Sequence, residues 1–261
     1  MIRRLLRSLL LHPSARRAGL DSPEATTLRL DIIKKKSFLK QFYDECYRSI
    51  SKSLPTGVDG PFLELGSGGG FLKEHIEKLI TSEILGLPFV DIVLDGQRLP
   101  FANDSLGAIV MLDVFHHLSS VESFFTEAAK CIKPSGAIVM IEPWNTRWSR
   151  LFYQYLHHEP FDPLAEQWEF CQGGPLSQAN QALPWIVFER DRETFEQRFP
   201  QWEISEISLH TPFCYLLSGG VSLRSFMPGF LYGACRRVED FFQPWMHAWA
   251  MFAKIVLVRK N

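Results

Sequence analysis

Glycine occupies four of the five positions from Gly66 to Gly70, directly after an acid and a short apolar run. The surrounding stretch, residues 61–74, reads PFLELGSGGGFLKE. Glycine is useful at such a turn because it adopts positive φ readily and because the missing Cβ lets a ligand lie against the backbone. The apolar spacing after the turn is helical, so we predict a strand, a glycine turn and a helix over residues 71–80. The N-terminus of that helix would favour a ligand that carries negative charge.

The spacing of these glycines separates the ligands that the turn could bind. A dinucleotide fingerprint, GxGxxG, would place its last glycine at Phe71 or Lys73, so a classical dehydrogenase is disfavoured. A phosphate-binding loop needs GxxxxGK followed by Ser or Thr, and no lysine follows the glycines in that frame. An ordinary glycine turn without a ligand is the alternative interpretation. The frame that fits is (D/E)xGxGxG, formed by Glu64, Gly66, Gly68 and Gly70.

Two further acids lie at the ends of predicted strands. Residues 79–84 form a second predicted strand with Glu83 near its end, and residues 90–94 form a third that is followed by Asp95. In a doubly wound sheet, an acid about 20 residues after the glycine turn accepts hydrogen bonds from ribose hydroxyls. A surface glutamate is the alternative for Glu83. Only LGLPFV separates the two strands, so we expect a short loop, although parallel connections normally need a dozen or more residues.

Three segments resemble the class I S-adenosylmethionine-dependent methyltransferases. The (D/E)xGxGxG frame resembles motif I of that family, and VLDGQRLPFANDSLGAIVMLDVFHHL resembles the segment that contains the adenine acid, an LPF turn and the fourth strand. ESFFTEAAKCIKPSGAIVMIEP resembles the helix, the turn and the fifth strand that follow, with Ser135 in place of a glycine. The resemblance covers about residues 60–145. It implies an α/β fold with a doubly wound, Rossmann-like sheet of about seven strands, mostly parallel with the last strand antiparallel, and helices on both faces.

The resemblance also implies S-adenosyl-L-methionine as the cofactor and a set of residues that bind it. Asp95 would accept a hydrogen bond from the adenine amino group, and the backbone of Gly96 would lie at the ring edge. The sulfonium of this cofactor makes its methyl group electrophilic, so the protein needs mainly to hold an acceptor in line and exclude water. The residues implied for cofactor binding are Glu64, Gly66, Ser67, Gly68, Gly70, Glu83, Asp95, Gly96 and Asp113.

Histidines supply the candidates for proton transfer. A general base is needed only where the acceptor keeps a proton of high pKa, and histidine is suited to that role near neutral pH. We name His117 and His158 as catalytic candidates; the alternatives are that such histidines orient a loop, pack beside the cofactor or contact the acceptor. His157, His158 and Glu159 could also bind a metal, but adjacent helical residues point apart, and we predict no metal.

Composition excludes some classes of partner. The chain has 261 residues, a formal net charge of −1 and a pI near 6.7, so it lacks the basic field that nucleic-acid binding usually requires. Its five cysteines are scattered and show no CxxC spacing, which argues against a disulfide framework or a zinc site. We therefore expect a reducing compartment and a cytoplasmic protein.

We expect two parts, an N-terminal helical segment at residues 1–55 and a methyltransferase domain at residues 56–261. Ser22 and Pro23 predict a helix start, with a break near residues 34–36 and a stop at Pro55. Residues 1–20 are basic and amphipathic, which fits a surface-lying helix at a membrane, an organelle presequence or a helix packed on the domain.

The second half of the chain is apolar and less regular. We predict a helix at residues 145–158, a sixth strand at Trp202–His210 and a closing strand at residues 251–258. Cap insertions are expected at about residues 146–200 and 211–249, with packing on the core or an oligomer contact as the alternatives. The predicted function is methyl transfer to a small-molecule or lipid-like acceptor. The alternative is a non-catalytic cofactor-binding or scaffold protein that retains the same fold.

Overall fold

A seven-stranded sheet forms the centre of the protein. The computed structural model describes residues 22–155, 157, 159–169 and 179–261. The strand order is β3-β2-β1-β4-β5-β7-β6, in which β7 runs antiparallel to both of its neighbours and the other pairs are parallel. This confirms the predicted fold class. The strands are β1 Phe62–Leu65, β2 Leu79–Glu83, β3 Ile92–Val93, β4 Leu106–Leu112, β5 Ile132–Pro143, β6 Trp202–His210 and β7 Phe252–Arg259.

Helices cover both faces of the sheet. None of those in the described ranges is long and apolar enough to cross a membrane. Short 3-10 turns lie at Leu72–Glu74, Phe115–His117, Gly229–Leu231 and Gln243–Trp245, and a π-helical turn lies at Ile186–Arg190. The α-helices are α1 Pro23–Lys35, α2 Ser37–Lys52, α3 Val121–Cys131, α4 Arg147–Tyr155, α5 Leu183–Trp185, α6 Arg192–Arg198, α7 Cys214–Ser218, α8 Tyr232–Phe241 and α9 Met246–Trp249.

Side chains of the central strands alternate between two buried clusters, one on each face of the sheet. In β4, Ile109 packs with one cluster, while Ala108 and Val110 pack with the other. The first cluster contains residues of α3 and of the segment before β6, and the second contains the apolar residues of α2. A parallel strand that is buried on both faces has no polar face, which explains the continuous apolar run of β4.

The N-terminal helices follow the predicted pattern. Ser22 caps α1, because its Oγ accepts a hydrogen bond from the backbone N–H of Ala25 at 3.2 Å, and Pro23 occupies the first helical position. The predicted break is confirmed at Lys36, where the backbone leaves the helical region (φ −92°, ψ 89°). The buried Lys36 amine donates to the carbonyls of Gly220 at 2.5 Å and Leu223 at 2.8 Å. The break therefore ties α1 and α2 to the segment between the last two strands.

The predicted helix at residues 71–80 is wrong. Only the 3-10 turn Leu72–Glu74 follows the glycines, and β2 already begins at Leu79. The apolar spacing has another cause, since Phe71, Leu72 and Ile76 are buried in the cluster that contains α2. Helix α2, which precedes β1 in the chain, supplies the helical packing partner for this stretch.

The second and third strands confirm the predicted short loop. Strand β3 has only two residues and pairs with the carboxyl end of β2, with Ser82 opposite Ile92 and Glu83 opposite Val93. The chain therefore does not have to return along the whole sheet, which is why a connection shorter than usual suffices. Asp91 closes the loop by accepting hydrogen bonds from the backbone N–H and the Oγ1 of Thr81, each at 2.9 Å.

The last two strands form the predicted antiparallel pair. Strand β6 has the predicted bounds, and β7 begins one residue later than predicted. Helices α7, α8 and α9 lie between them, and α4 falls within the predicted helix at residues 145–158. The basic segment at residues 1–20 lies outside the described residues.

Candidate functional site

One cavity of about 1040 Å³ lies at the carboxyl ends of β1, β2 and β4. Ligands of open α/β sheets bind at this edge, where successive strands diverge. Every predicted site residue in the described ranges lines it, whereas His158 lies outside those ranges. These lining residues are Glu64, Gly66, Ser67, Gly68, Gly70, Glu83, Asp95, Gly96, Asp113 and His117.

The glycine turn is packed tightly against its surroundings except at one position. Gly66 and Gly68 have positive φ, +62° and +50°. A Cβ at Gly66 would lie 2.6 Å from a methyl group of Val114, and one at Gly69 would lie 2.6 Å from the backbone nitrogen of Leu30 in α1. A Cβ at Gly68 would make only ordinary contacts, the nearest at 3.7 Å. Gly68 is therefore the position at which a side chain would have room within the protein itself.

Glu64 stabilises the glycine turn through Ser67. Its carboxylate is buried and accepts a hydrogen bond from Ser67 Oγ at 2.8 Å, and Ser67 Oγ accepts from the backbone N–H of Ser82 at 3.1 Å. Burial raises the pKa of Glu64 to about 7, and the nearby charge of Glu83 adds to this, while the hydrogen bond from Ser67 acts in the opposite direction. The side chains of Glu64 and Ser67 thus join the ends of β1 and β2.

Glu83 reaches from the end of β2 to the glycine turn. One carboxylate oxygen accepts from the backbone N–H of Gly68 at 3.0 Å, and the other accepts from the N–H of Ile84 at 2.8 Å. Burial raises the pKa of Glu83, and these two hydrogen bonds partly offset that effect. Each carboxylate oxygen can accept a further hydrogen bond, so the group retains capacity for a ligand.

Asp95 and Gly96, which follow β3, also line the cavity. Asp95 Oδ1 accepts from the backbone N–H of Gln97 at 2.9 Å and from its side-chain amide at 3.2 Å, which fixes the carboxylate in a turn. A Cβ at Gly96 would approach Leu65 Cδ1 to 3.1 Å, so the backbone here lies close to the end of β1.

Asp113 directly follows β4 and has an unusual backbone conformation. Its φ is +62°, a backbone angle that residues other than Gly, Asn and Asp rarely adopt. Its N–H donates to the carbonyl of Ile141 at 2.9 Å. The side chain of Asp113 is exposed to solvent within the cavity. Desolvation by the cavity walls raises the pKa of Asp113 to about 7, with the charges of Glu159 and Glu142 acting in the same direction and that of His116 against it.

A buried acid at the end of β5 organises the histidine turn. Glu142 Oε1 accepts from the backbone N–H groups of Val114 and Phe115 at 2.8 and 2.7 Å, and its Oε2 lies 2.8 Å from His116 Nδ1. Sequence reasoning missed Glu142. The sequence did contain a signal for it, because an acid interrupts the apolar fifth strand, IVMIEP, near the carboxyl end of that strand, where ligands bind.

Glu159, in the segment after α4, lies close to His116 and His117. One oxygen lies 3.4 Å from His116 Nε2, and the other lies 3.8 Å from His117 Nε2. Burial lowers the pKa of His116, but the two glutamates on either side outweigh it and hold that pKa well above its ordinary value. Burial likewise raises the pKa of Glu159, but its close contact with His116 and the charges of His116, His157 and His117 bring it below its ordinary value.

Helix α1 and the segment after β6 complete the cavity wall. Arg29 of α1 faces the cavity and was missed, because nothing in the sequence distinguishes it from a surface arginine of an amphipathic helix. Its charge lowers the pKa values of Glu83 and Asp113 against the stronger effect of burial. The apolar part of the wall is formed by Trp148, Phe152, Phe213, Tyr215, Leu216, Leu217 and Phe226.

The chain resembles known methyltransferases in part of its sequence. Residues 85–140 match the family model of a methyltransferase domain. This segment contains Asp95, Asp113 and both histidines of the 3-10 turn, and it begins after the glycine turn and Glu83. No curated protein matches the chain in sequence.

Two solved structures share the fold over 94% of this chain. One belongs to the complex between the Haloferax volcanii Trm112 methyltransferase activator and a methyltransferase, with a TM-score of 0.53, 12% identity and 98% of that chain covered. The other is geranyl diphosphate C-methyltransferase from Streptomyces coelicolor A3(2), with a TM-score of 0.51, 12% identity and 88% of that chain covered. The latter was solved with Mg²⁺, geranyl diphosphate and S-adenosyl-L-homocysteine. Residues 85–140 therefore resemble a methyltransferase domain, and the chain shares its fold with these two structures.

Proposed function

We propose that this protein transfers a methyl group from S-adenosyl-L-methionine to a small-molecule or lipid-like acceptor. The observation that carries the proposal is the single cavity that joins the glycine turn, Glu83, Asp95 and Asp113 to an apolar wall. Its volume, about 1040 Å³, is slightly above the range of roughly 300–1,000 Å³ for ligand pockets, which leaves room for an acceptor beside a cofactor.

The polar residues fit the three parts of the cofactor. In this proposal Glu83 accepts from ribose hydroxyls and Asp95 from the adenine amino group, while the backbone of the glycine turn lies against the methionine part. Arg29 is a cation on the same wall and is suited to the cofactor carboxylate. Glu64 and Ser67 would act through the turn, since their side chains bind each other.

The acceptor would lie against the apolar wall. Aromatic and aliphatic side chains from α4 and from residues 211–226 face the cavity, and few polar groups accompany them there. Such a wall excludes water from the transferred methyl group and favours an acceptor with apolar surface. The segment between β6 and β7 therefore serves as a cap in this proposal.

Where the acceptor must lose a proton, the histidine turn, Phe115–His117, would accept it. His117 lines the cavity directly, and His116 stands behind it between Glu142 and Glu159. We retain His117 as a catalytic candidate on this ground, together with His158 from the sequence.

Methyl transfer from labelled cofactor tests this function. The protein is incubated with S-adenosylmethionine that carries a deuterated methyl group and with metabolite and lipid extracts. We expect a product that carries the intact CD₃ group and that is absent with the Asp95→Ala variant. Cofactor binding without any labelled product from either extract would favour the non-catalytic alternative.

A further inference from the structure

His116, His117 and Glu159 bring three metal-ligating side chains together at the cavity wall. One donor atom from each lies within 4.8 Å of the other two. Glu159 approaches His116 Nε2 to 3.4 Å and His117 Nε2 to 3.8 Å. A Zn²⁺ ion with bonds of about 2.0–2.1 Å would hold neighbouring tetrahedral ligands about 3.3 Å apart. The three side chains therefore need only small movements to close around one ion.

Glu142 determines which nitrogen of His116 faces Glu159. Its carboxylate is held by the backbone N–H groups of Val114 and Phe115, and it lies 2.8 Å from His116 Nδ1. An ionised carboxylate can only accept a hydrogen bond, so His116 Nδ1 carries a proton. In the neutral ring, Nε2 then presents its lone pair to the site. Metal-binding histidines commonly show this arrangement, with the second nitrogen donating to a carboxylate.

His116 Nε2 is buried without a hydrogen-bond partner within the part of the chain that the structure describes. Its nearest polar neighbour is an oxygen of Glu159, itself an acceptor, at 3.4 Å. Two lone pairs that face each other in a buried site repel, unless a cation lies between them. The two glutamates that raise the pKa of His116 also favour a proton on this nitrogen, so a metal ion would bind here in place of that proton.

The surrounding groups favour a multivalent cation at this point. Glu142, Glu159 and Asp113 place three carboxyl groups around the histidines, and such a field attracts a multivalent cation. Glu159 is further oriented by the side-chain amide of Gln181, which donates to Oε2 at 2.9 Å. We propose that His116, His117 and Glu159 bind one divalent transition-metal ion of the Zn²⁺ type. Nitrogen-rich donor sets suit such ions better than Mg²⁺ or Ca²⁺.

The metal would face the acceptor side of the cavity. His117 and Glu159 line the cavity, so a position of the metal that protein atoms leave open would be accessible to an oxygen of the acceptor. Coordination lowers the pKa of a bound hydroxyl group and would replace a free histidine base. This use of the metal rests on the proposed function, whereas metal binding itself does not.

Zn²⁺ titration of the chelator-treated full chain, without S-adenosylmethionine, tests the proposal. We expect one Zn²⁺ per chain, and binding weakened by about 100-fold or more in His117→Ala and Glu159→Gln, each of which removes a ligand. Glu142→Gln should weaken binding by about 10- to 100-fold, because it alters the support of His116. The exposed His247 lies in α9, outside the cluster, and His247→Ala serves as the matched control that should leave binding unchanged.

Two results would overturn the metal site. One is the absence of stoichiometric Zn²⁺ binding by the wild-type protein. The other is equal Zn²⁺ affinity in Glu159→Gln and His247→Ala when circular dichroism shows that both are folded. Glu159→Gln preserves the shape of the side chain, so the test remains decisive if His117→Ala fails to fold. Because the cofactor is absent from the titration, either result leaves the methyltransferase proposal standing.

Discussion

Gly68 is the residue of the glycine turn at which ligand binding and folding can be separated. Alanine there has space within the protein, but its positive φ should destabilise the fold by about 1 kcal/mol. We expect Gly68→Ala to lose affinity for S-adenosylmethionine, measured by calorimetry, because the added methyl group lies where the cofactor would meet the backbone. Gly57 is a matched control, since its φ is +79°, nothing lies within 4 Å of its Cβ position, and it lies outside the cavity wall. Equal cofactor affinity in the two variants would contradict this assignment.

The raised pKa of Glu64 predicts that the stability of the folded protein decreases as pH rises. Its pKa is raised from 4.5 in the unfolded chain to about 7 by burial, so the folded protein binds this proton more tightly. Stability from this group is therefore present below pH 4.5 and is lost as pH rises to about 7. Relative to Glu64→Gln, the wild-type protein should lose up to about 3 kcal/mol of unfolding free energy over that range. Urea denaturation of both proteins at pH 5 and pH 8 measures the difference, and parallel pH profiles would reject it.

At the residue scale, sequence patterns found those site residues that belong to recognisable motifs or follow predicted strands. The glycine frame, Glu83, Asp95 and Asp113 all line one cavity, as the resemblance implied. Glu142 and Arg29 were missed for different physical reasons. Glu142 reaches the histidine turn from a neighbouring strand, and Arg29 reaches the cavity from a helix that precedes the whole sheet. Such contacts depend on strand order and helix placement, which a single sequence does not specify.

Lys36 joins two elements that are far apart in the chain. Its amine donates to the carbonyls of Gly220 and Leu223, and burial lowers its pKa to about 8. In Lys36→Met both carbonyls lose a charged donor, so we expect the amides of Leu223 and Phe226 to exchange hydrogen roughly tenfold faster or more, as a loss of about 1.5 kcal/mol implies. Lys52→Met, at the exposed end of α2, provides the control. Unchanged exchange at residues 219–226 in Lys36→Met would show that Lys36 does not hold this segment.

At the element scale, strands were predicted better than the helix after the glycine turn. Strand β6 alternates and has no competing apolar pattern, so its bounds could be predicted in full. The stretch from Phe71 to Ile76 has helical spacing, but only a 3-10 turn forms before β2 starts at Leu79. Its apolar residues pack on α2, a tertiary contact that periodicity within the segment cannot reveal.

At the scale of the whole molecule, several large apolar side chains of the cap face outward. Phe230 and Phe241 are 85% and 71% exposed, and Trp245 is about half exposed. Together with the basic residues 1–20, these side chains motivate the proposal of peripheral contact with an anionic membrane. Each arginine near such a surface contributes about 1 kcal/mol. Contact of this kind would bring a lipid-like acceptor to the mouth of the cavity.

Flotation with anionic liposomes tests the membrane proposal. We expect full-length protein to float in part, and a variant that lacks residues 1–20 to float less, because five arginines are lost. The double variant Phe230→Ser, Phe241→Ser should also float less while keeping its fold, since both side chains are exposed. Equal recovery of all three proteins in the unbound fraction would reject membrane contact and leave the cavity to a soluble acceptor.

Calorimetric titration with S-adenosylmethionine, S-adenosylhomocysteine and NAD tests the central claim most directly. We predict that the wild-type protein binds one S-adenosyl ligand per chain and does not bind NAD. Glu83→Gln and Asp95→Ala should each weaken binding by roughly 1.5 to 3 kcal/mol, the loss of a charge-assisted hydrogen bond. Glu77→Gln, an exposed change outside the cavity wall, should have no effect. Absence of S-adenosylmethionine binding, or an affinity unchanged in both Glu83→Gln and Asp95→Ala, would contradict the assignment of this cavity as the cofactor site.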